Sequence, residues 1–389
     1  MNMEQQSPPF VLHVRTVTGF GGGPEKTILN SPRYLPPLGY QAACAYLHPP
    51  GESGLESLRG RAEAAKAELI TIEDRGPLDW SLVGKFIRLC RQRHVRIWHA
   101  HDDKSNALGL LVRMRVPMKL VTTAHGWGAN LGINPWKSRL YRACSQISLR
   151  RYEMSIAVSP DLQQMLVDWR LRPERVVLIE NAIDTAQFAR QFSQAEARRR
   201  MGLPDDGLVI AALGRLAPEK GFDALVQAVA AVRQSGRQVN LWIGGEGPLR
   251  DALTTLIDQL QVADSVRLLG HLGDPRDFLQ AADLFVLSSV SEGLPNVVLE
   301  AMALGTPVIS TRVAGVPRVI EDGVHGLLVD IGQADPLVDA IIRLVDDAEL
   351  RRRLASAARQ RIEQHYDFGL RMQKVARVYD RMLDRQTSA

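Results

Sequence analysis

The sequence predicts an α/β protein of two doubly wound domains in series, each a parallel sheet covered by helices. Three observations carry this reading. Short apolar, β-branched runs recur with amphipathic helical stretches between them, the alternation that builds βαβ units. The chain is 389 residues long, beyond the roughly 250 to 300 residues at which a single core stops growing. The runs also fall into two sets, divided by a polar, Arg-rich stretch from Asn181 to Asp206 that has no strand pattern. That stretch is the expected interdomain segment, with domains at 1–185 and 186–368 and a closing amphipathic helix in 369–389.

In the first domain strands are expected at Phe10–Val14, Val95–Trp98, Leu120–Thr123, Ile156–Val158 and Val176–Ile179. In the second they are expected at Leu208–Leu213, Leu241–Gly244, Val266–Leu269, Leu284–Leu287, Val308–Ser310 and Leu327–Val329. The last helix, Asp367 to Arg385, carries Leu370, Val375, Val378 and Leu383 among charges. Ligands of doubly wound sheets bind outside the carboxyl ends of the strands, where the strand order reverses, so a ligand is expected between the two domains.

Composition excludes several classes. Hydrophobic residues make up 45% and charged residues 23%, ordinary for a globular enzyme and unlike a disordered or collagenous chain. Cys44, Cys90 and Cys144 are an odd, scattered set without metal spacing, so reduced thiols, a cytoplasmic setting and no structural zinc are expected. The N-terminus lacks a basic leader region, and no apolar run approaches a membrane span. Charge is uneven: from Lys85 to Arg151 there are 14 Lys or Arg against Asp102 and Asp103 alone. A negatively charged partner suits this stretch. It has no zinc-finger, RNP or basic-zipper pattern, so an anionic membrane surface or a phosphorylated substrate is expected and nucleic acid is not. Within it, Trp136, Leu140, Ala143 and Ile147 line one narrow helical face, bordered by Lys137 and Arg139 with Arg142 behind. That face could lie on a membrane or pack on the sheet.

The second half carries the sharper chemistry. In Ser291 to Gly305, Pro295 suits the first helical position and Gly305 the position just past the end. The helix between is apolar except for Asn296 and Glu300, and a carboxylate in an apolar helix needs a partner. Glu292 sits in the preceding loop, beside a helix N-terminus suited to phosphate. Arg215 and Lys220 lie in Gly214 to Asp223, between a buried strand and a helix with Phe222, Leu225, Val226 and Val229 on one face. Two cations at a strand-to-helix turn suit a diphosphate. Solvation of these charges is the alternative reading.

Glycines recur in Gly244-Gly245-Glu246-Gly247-Pro248 and in Gly19 to Glu25. Neither completes a dinucleotide fingerprint; both permit close backbone approach to a phosphate or sugar, or are plain tight turns. His125 follows the third expected strand and is placed to meet a sugar hydroxyl or move a proton. His99 and His101 are read as structural histidines and not metal ligands, because no third ligand has the spacing. Asp102-Asp103 is not the D-x-D pair of metal-dependent transferases.

Glu292 and Glu300 as E-x7-E, Arg215 and Lys220 as Arg-x4-Lys, and Gly22-Gly23-Pro24-Glu25 as an early G-G-x-E loop together resemble the large retaining glycosyltransferase family four. The resemblance covers nearly the whole chain and implies a GT-B fold, two Rossmann-like domains facing a cleft. The first would bind the acceptor and the second a nucleoside-diphosphate sugar, with the last helix crossing back onto the first. It further implies that Glu300 binds the donor ribose, that Glu292 lies against the donor sugar, and that Arg215 and Lys220 neutralise the diphosphate. His125 would contact the transferring sugar. Leu294, Pro295, Asn296 and Val297, with Gly22 and Gly23, would close on phosphates and sugar, and His271 and Leu272 would lie by the base. The implied activity is metal-independent, cofactor-free retaining transfer from a nucleotide-sugar donor to a hydroxyl acceptor, soluble or lipid-linked, in polysaccharide or glycolipid synthesis. A GT-B nucleotide-sugar 2-epimerase and a non-catalytic sugar-nucleotide binder remain the alternatives. The protein is expected in the cytoplasm, free or peripheral on the membrane's inner face. One departure stands out: the family's Asn-Gly turn is Asn181-Ala182 here, strained if that turn needs positive φ.

Overall fold

The computed structural model describes residues 7–17, 23–76, 79–125, 145–203, 207–292, 294–313, 315–332 and 334–385. The chain divides into two compact units, Met1–Asn181 with Gly369–Ala389, and Ala182–Phe368. Residues 182–185 therefore belong to the second unit, not the first.

The first unit holds a seven-stranded sheet in the order β3-β2-β1-β4-β5-β6-β7 among the described residues. The strands are β1 Phe10–Thr16, β2 Gln41–His48, β3 Leu69–Glu73, β4 Val95–Ala100, β5 Lys119–Ala124, β6 Met154–Ala157 and β7 Val176–Leu178. All neighbours pair in parallel. The order reverses between β1 and β4, so the loops after these two strands meet at the sheet's carboxyl edge. Two strands were not expected. β2 is rich in Ala, a poor strand former alone, yet every residue from Ala43 to Leu47 is fully buried. With both faces covered, small side chains are what fits. β3 follows Ala64-Ala65-Lys66-Ala67-Glu68, which reads as a helix continuing into it.

The second unit holds a six-stranded sheet in the order β10-β9-β8-β11-β12-β13. Its strands are β8 Leu208–Leu213, β9 Val239–Gly244, β10 Val266–Gly270, β11 Leu284–Leu287, β12 Val308–Thr311 and β13 Leu327–Val329. Again all pairs are parallel, and the order reverses between β8 and β11. The helix Phe222–Gln234 buries Phe222, Leu225, Val226 and Val229 against this sheet, the face its spacing predicts.

The described part of the polar stretch beyond Asn181, residues 182–203, is corrected from a linker to a built part of the second unit. Ser193 caps a helix, Gln194–Arg200, by accepting from the Glu196 N–H. Arg198, only 7% exposed, donates to Asp283 at 2.6 Å and to the Ala281 carbonyl at 3.1 Å. Asp283 also accepts from the Val209 N–H at 2.7 Å, so one buried ion pair ties this helix to the start of β8. Ala182 is not among the non-glycine residues with positive φ, so the expected strain is absent.

The closing helix, Phe368–Met382, buries Met372, Val375, Ala376, Val378, Tyr379 and Met382; of the expected face Val375 and Val378 are buried, while Leu370 and Leu383 are only half-buried. From Gly369 onward it belongs to the first unit, where Asp380 accepts from the Tyr40 hydroxyl at 2.7 Å. Cys44 and Cys90 are buried free thiols, and burial pushes Cys90 up to about 12. Cys144 lies outside the described residues. Among the described residues no helix is long and apolar enough to cross a membrane. Of the amphipathic face proposed for 136–147, only Ile147 is described, and it is exposed; Trp136, Lys137, Arg139, Leu140, Arg142 and Ala143 lie outside the described residues.

Candidate active site

In the second unit the site grows from the two strands that flank the reversal of strand order. After β8 the chain passes Gly214 and Arg215, makes a 3-10 turn at Pro218–Lys220, and enters the helix Phe222–Gln234 through Gly221 in the left-handed region, φ 59°. A Cβ on Gly221 would stand 2.4 Å from the Ser288 carbonyl oxygen, so only glycine permits the approach. Two hydrogen bonds close the same seam: Ser288 Oγ to the Lys220 carbonyl at 2.9 Å, and the Val290 N–H to the Glu219 carbonyl at 2.9 Å. The loop after β11 is thereby stitched onto the loop after β8.

The stitching brings Lys220 and Glu292 together. Their side chains, 18% and 15% exposed, form a direct ion pair, and Glu292 also accepts from Ser289 Oγ at 3.0 Å. Arg215 projects from the same turn at 60% exposure, with Glu219 at 3.9 Å. One cation is thus held in place by a carboxylate and the other remains able to swing. A multiply charged anion at this edge would meet both.

Behind them lies the helix Asn296–Ala303. Pro295, with φ −71° and ψ 121°, precedes it as the cap and is not its first residue as expected. Gly305, with φ 68°, does terminate it. No acidic residue occupies its first turn, so the helix itself carries no carboxylate there to offset the positive end of its dipole. Leu294 is in the hydrophobic core, while Asn296 and Val297 are half-buried. Glu300 is fully buried in the middle of the helix. His271 is exposed just past β10, and Leu272 lies over Gly244, whose Cβ would stand 2.6 Å from Leu272 Cδ1.

The glycines after β9 serve the protein's own backbone. Gly245 has φ 139°, and a Cβ there would lie 1.8 Å from the Gly214 carbonyl oxygen. At Gly247 a Cβ would lie 2.4 Å from the Leu216 carbonyl oxygen. The Leu216 N–H donates to the Glu246 carbonyl at 2.9 Å. This loop is a buttress beneath Arg215.

In the first unit Gly23 opens the helix Gly23–Tyr34 and Gly22 lies outside the described residues. Glu25, 1% exposed, accepts from Arg15 Nε at 2.5 Å. Asp102 accepts from the Thr16 N–H at 2.5 Å and caps the helix Asp103–Arg113 through the Ser105 N–H at 2.7 Å, a structural use of both oxygens. His125 is half-buried at the carboxyl end of β5. Burial, with the charges of Arg15 and Arg371, holds its imidazole well below the ordinary histidine range, so the ring is neutral.

Reasoning along the chain missed His13. It is the register partner of His99 across β1 and β4, and the ligand atoms of His13, His99 and His101 lie within 4.8 Å of one another. No third ligand has the sequence spacing to join His99 and His101, but parallel pairing of β1 with β4 places His13 beside them. The signal was available in the alternation of His13 and Arg15 in β1 with His99 and His101 in and after β4, but only once those strands were known to be neighbours.

Residues 193–361 match the family model described as glycosyl transferases group 1, and residues 21–187 match the model for glycosyltransferase family 4. The chain is 33% identical over 282 residues to a D-inositol 3-phosphate glycosyltransferase of Actinosynnema mirum, covering 68% of this chain and 67% of that protein. It belongs to this glycosyltransferase family. It is also 46% identical over 158 residues to the lipopolysaccharide core biosynthesis glycosyltransferase LpsE of Rhizobium meliloti, a match that spans 41% of this chain and 45% of that relative. The fold is GT-B: the Anabaena protein HepE in complex with UDP superposes with TM-score 0.80 at 21% identity, over 96% of this chain and 100% of that one. The HepE complex with UDP-glucose gives 0.79 at the same identity.

Proposed function

We propose that this protein is a retaining glycosyltransferase that moves a sugar from a nucleoside-diphosphate sugar to a hydroxyl of a lipid-linked saccharide, without a metal ion. The observation that carries the reading is the Lys220–Glu292 pair beside Arg215, assembled by the two loops at the reversal of strand order. As the bond from the anomeric carbon to the diphosphate oxygen breaks, charge grows on the departing phosphate. Lys220 and Arg215 meet that charge, and the helix N-terminus at Asn296 adds positive potential. The acceptor hydroxyl attacks from the face the diphosphate leaves, and a phosphate oxygen takes its proton. No carboxylate nucleophile is required. The UDP and UDP-glucose complexes of HepE support a uridine donor. The likeness to LpsE supports a lipopolysaccharide-type acceptor, taken up by a basic first domain at the inner face of the cytoplasmic membrane.

The deciding experiment incubates the protein with UDP-, GDP- and ADP-sugars, with and without membrane extract, and reads the anomeric configuration of the product by NMR. Transfer with retained configuration, dependent on extract and insensitive to EDTA, is expected. Inverted product, epimerised donor without acceptor, or activity lost to EDTA and restored by Mn²⁺ would overturn the corresponding part of the proposal.

The two glutamates separate by calorimetry. Glu300→Gln is expected to weaken UDP and UDP-sugar alike, because both carry the ribose. Glu292→Gln should weaken only the sugar-bearing form. The opposite pattern would exchange their roles.

A further inference from the structure

Four imidazoles from three adjacent strands of the first unit form a cluster, and two of its contacts make a line. His13 Nδ1 lies 3.0 Å from His101 Nε2, and His101 Nδ1 lies 3.0 Å from His125 Nε2. His99 stands beside this line, stacked on His101 with ring centroids 4.4 Å apart, and is occupied elsewhere: Nδ1 with the Tyr379 hydroxyl and Nε2 with Thr123 Oγ1, both at 2.7 Å. Five of the six ring nitrogens of His13, His99 and His101 are thus engaged. A cation bound among them would have to break these bonds. It would also face Arg371, which is 5% exposed in the closing helix and whose charge acts on His13, His99 and His125. The donor set fits a hydrogen-bonded relay and not a metal.

A relay of neutral imidazoles has a direction, because each ring donates through one nitrogen and accepts through the other. Burial and Arg371 push His13 down to about 3, and burial holds His101 well below its ordinary range, so both rings are neutral. Two directions exist. Donation outward, from His13 through His101 to His125, leaves a bare lone pair on His13 Nε2. Donation inward leaves an N–H there. That atom is buried and has no hydrogen-bond partner among the described residues. Orphaned buried N–H groups are the rarer kind, and the positive field of Arg371 favours a lone pair over a further N–H. Outward donation wins.

We propose that His13 and His101 are positioning residues that fix the tautomer of His125, so that its Nδ1 carries the hydrogen and donates to an oxygen of the sugar-nucleotide donor. His125 is then a committed donor: it recognises a hydroxyl lone pair or a phosphate oxygen. This rests on the reading above that His125 meets the donor, but the tautomer itself is a property of the free protein and is measured without ligand.

The test uses the full chain labelled with ¹⁵N-histidine and long-range ¹H–¹⁵N correlation spectra, which distinguish Nδ1–H from Nε2–H. His125 is expected in the Nδ1–H form. His13→Asn, whose amide places a donor where Nδ1 stood, should keep that form and the activity. His13→Leu removes the donor, should shift His125 toward Nε2–H, and should lower kcat/KM for the nucleotide-sugar about tenfold, the weight of one hydrogen bond. In a His125→Asn background, whose amide donates whatever the relay does, His13→Leu should have little further effect. The proposal is overturned if wild-type His125 is Nε2–H, if His13→Asn and His13→Leu lose activity equally, or if the His13→Leu loss persists undiminished in the His125→Asn background. Should His13→Leu fail to fold, the wild-type tautomer and His13→Asn decide. If the tautomer is as expected but no sugar-nucleotide binds, the relay stands and the donor reading falls.

Discussion

Replacing Lys220 with alanine is expected to lower kcat about 10²-fold or more while changing nucleoside-diphosphate affinity far less, since its charge matters most when the leaving group carries most charge. Arg215→Ala should lose turnover on the same scale. The two differ in the free protein. Lys220 is held against Glu292 at 18% exposure, so its loss strands a carboxylate and should also lower Tm. Arg215 is 60% exposed, and its loss should leave Tm nearly unchanged. The double variant Lys220→Ala, Glu292→Gln removes the stranded charge; recovery of Tm without recovery of kcat would separate catalysis from folding. Unchanged turnover in both single variants would remove the proposed site.

The largest stability effect is expected at Gly245. Alanine there would place its Cβ 1.8 Å from the Gly214 carbonyl at φ 139°, and the loops after β8 and β9 would have to separate. A loss of about 3 kcal/mol or more follows from strain and clash together, with turnover falling as Arg215 loses its support. Gly236 is the matched control, with φ 88° and nothing within 4 Å of a Cβ. Its alanine variant carries the backbone cost alone, about 1 to 2 kcal/mol, and should retain full kcat. Equal Tm shifts in the two variants would show that the Gly214–Gly245 approach relaxes freely.

Much of the second unit was legible. Its six strands alternate with helices whose apolar faces show in the spacing, and Gly221 and Gly305 stand where the chain turns left-handed. The first unit was less so. β2 is built from Ala-rich sequence whose strand character comes from burial on both faces, and β3 hides behind a run that reads as helix. The stretch 181–206 misled because arginine reads as surface; Arg198 is buried because Asp283, 85 residues away, neutralises it. Pro295 was placed one position too far into its helix, since a cap and a first turn differ only in ψ.

The sequence by itself determined the α/β class, the near-position of the division between the units, and the residue types of the site: two cations on one turn, two glutamates around one helix, and a histidine after a strand. These depend on neighbours a few residues apart, where propensity, capping and periodicity act. Only the tertiary structure decided that Lys220 meets Glu292, 72 residues on, that the glycines after β9 support Arg215, and that His13 completes a line of imidazoles ending at His125. Those pairings follow from strand order and parallel register, and both are set by how whole sheets bury their faces.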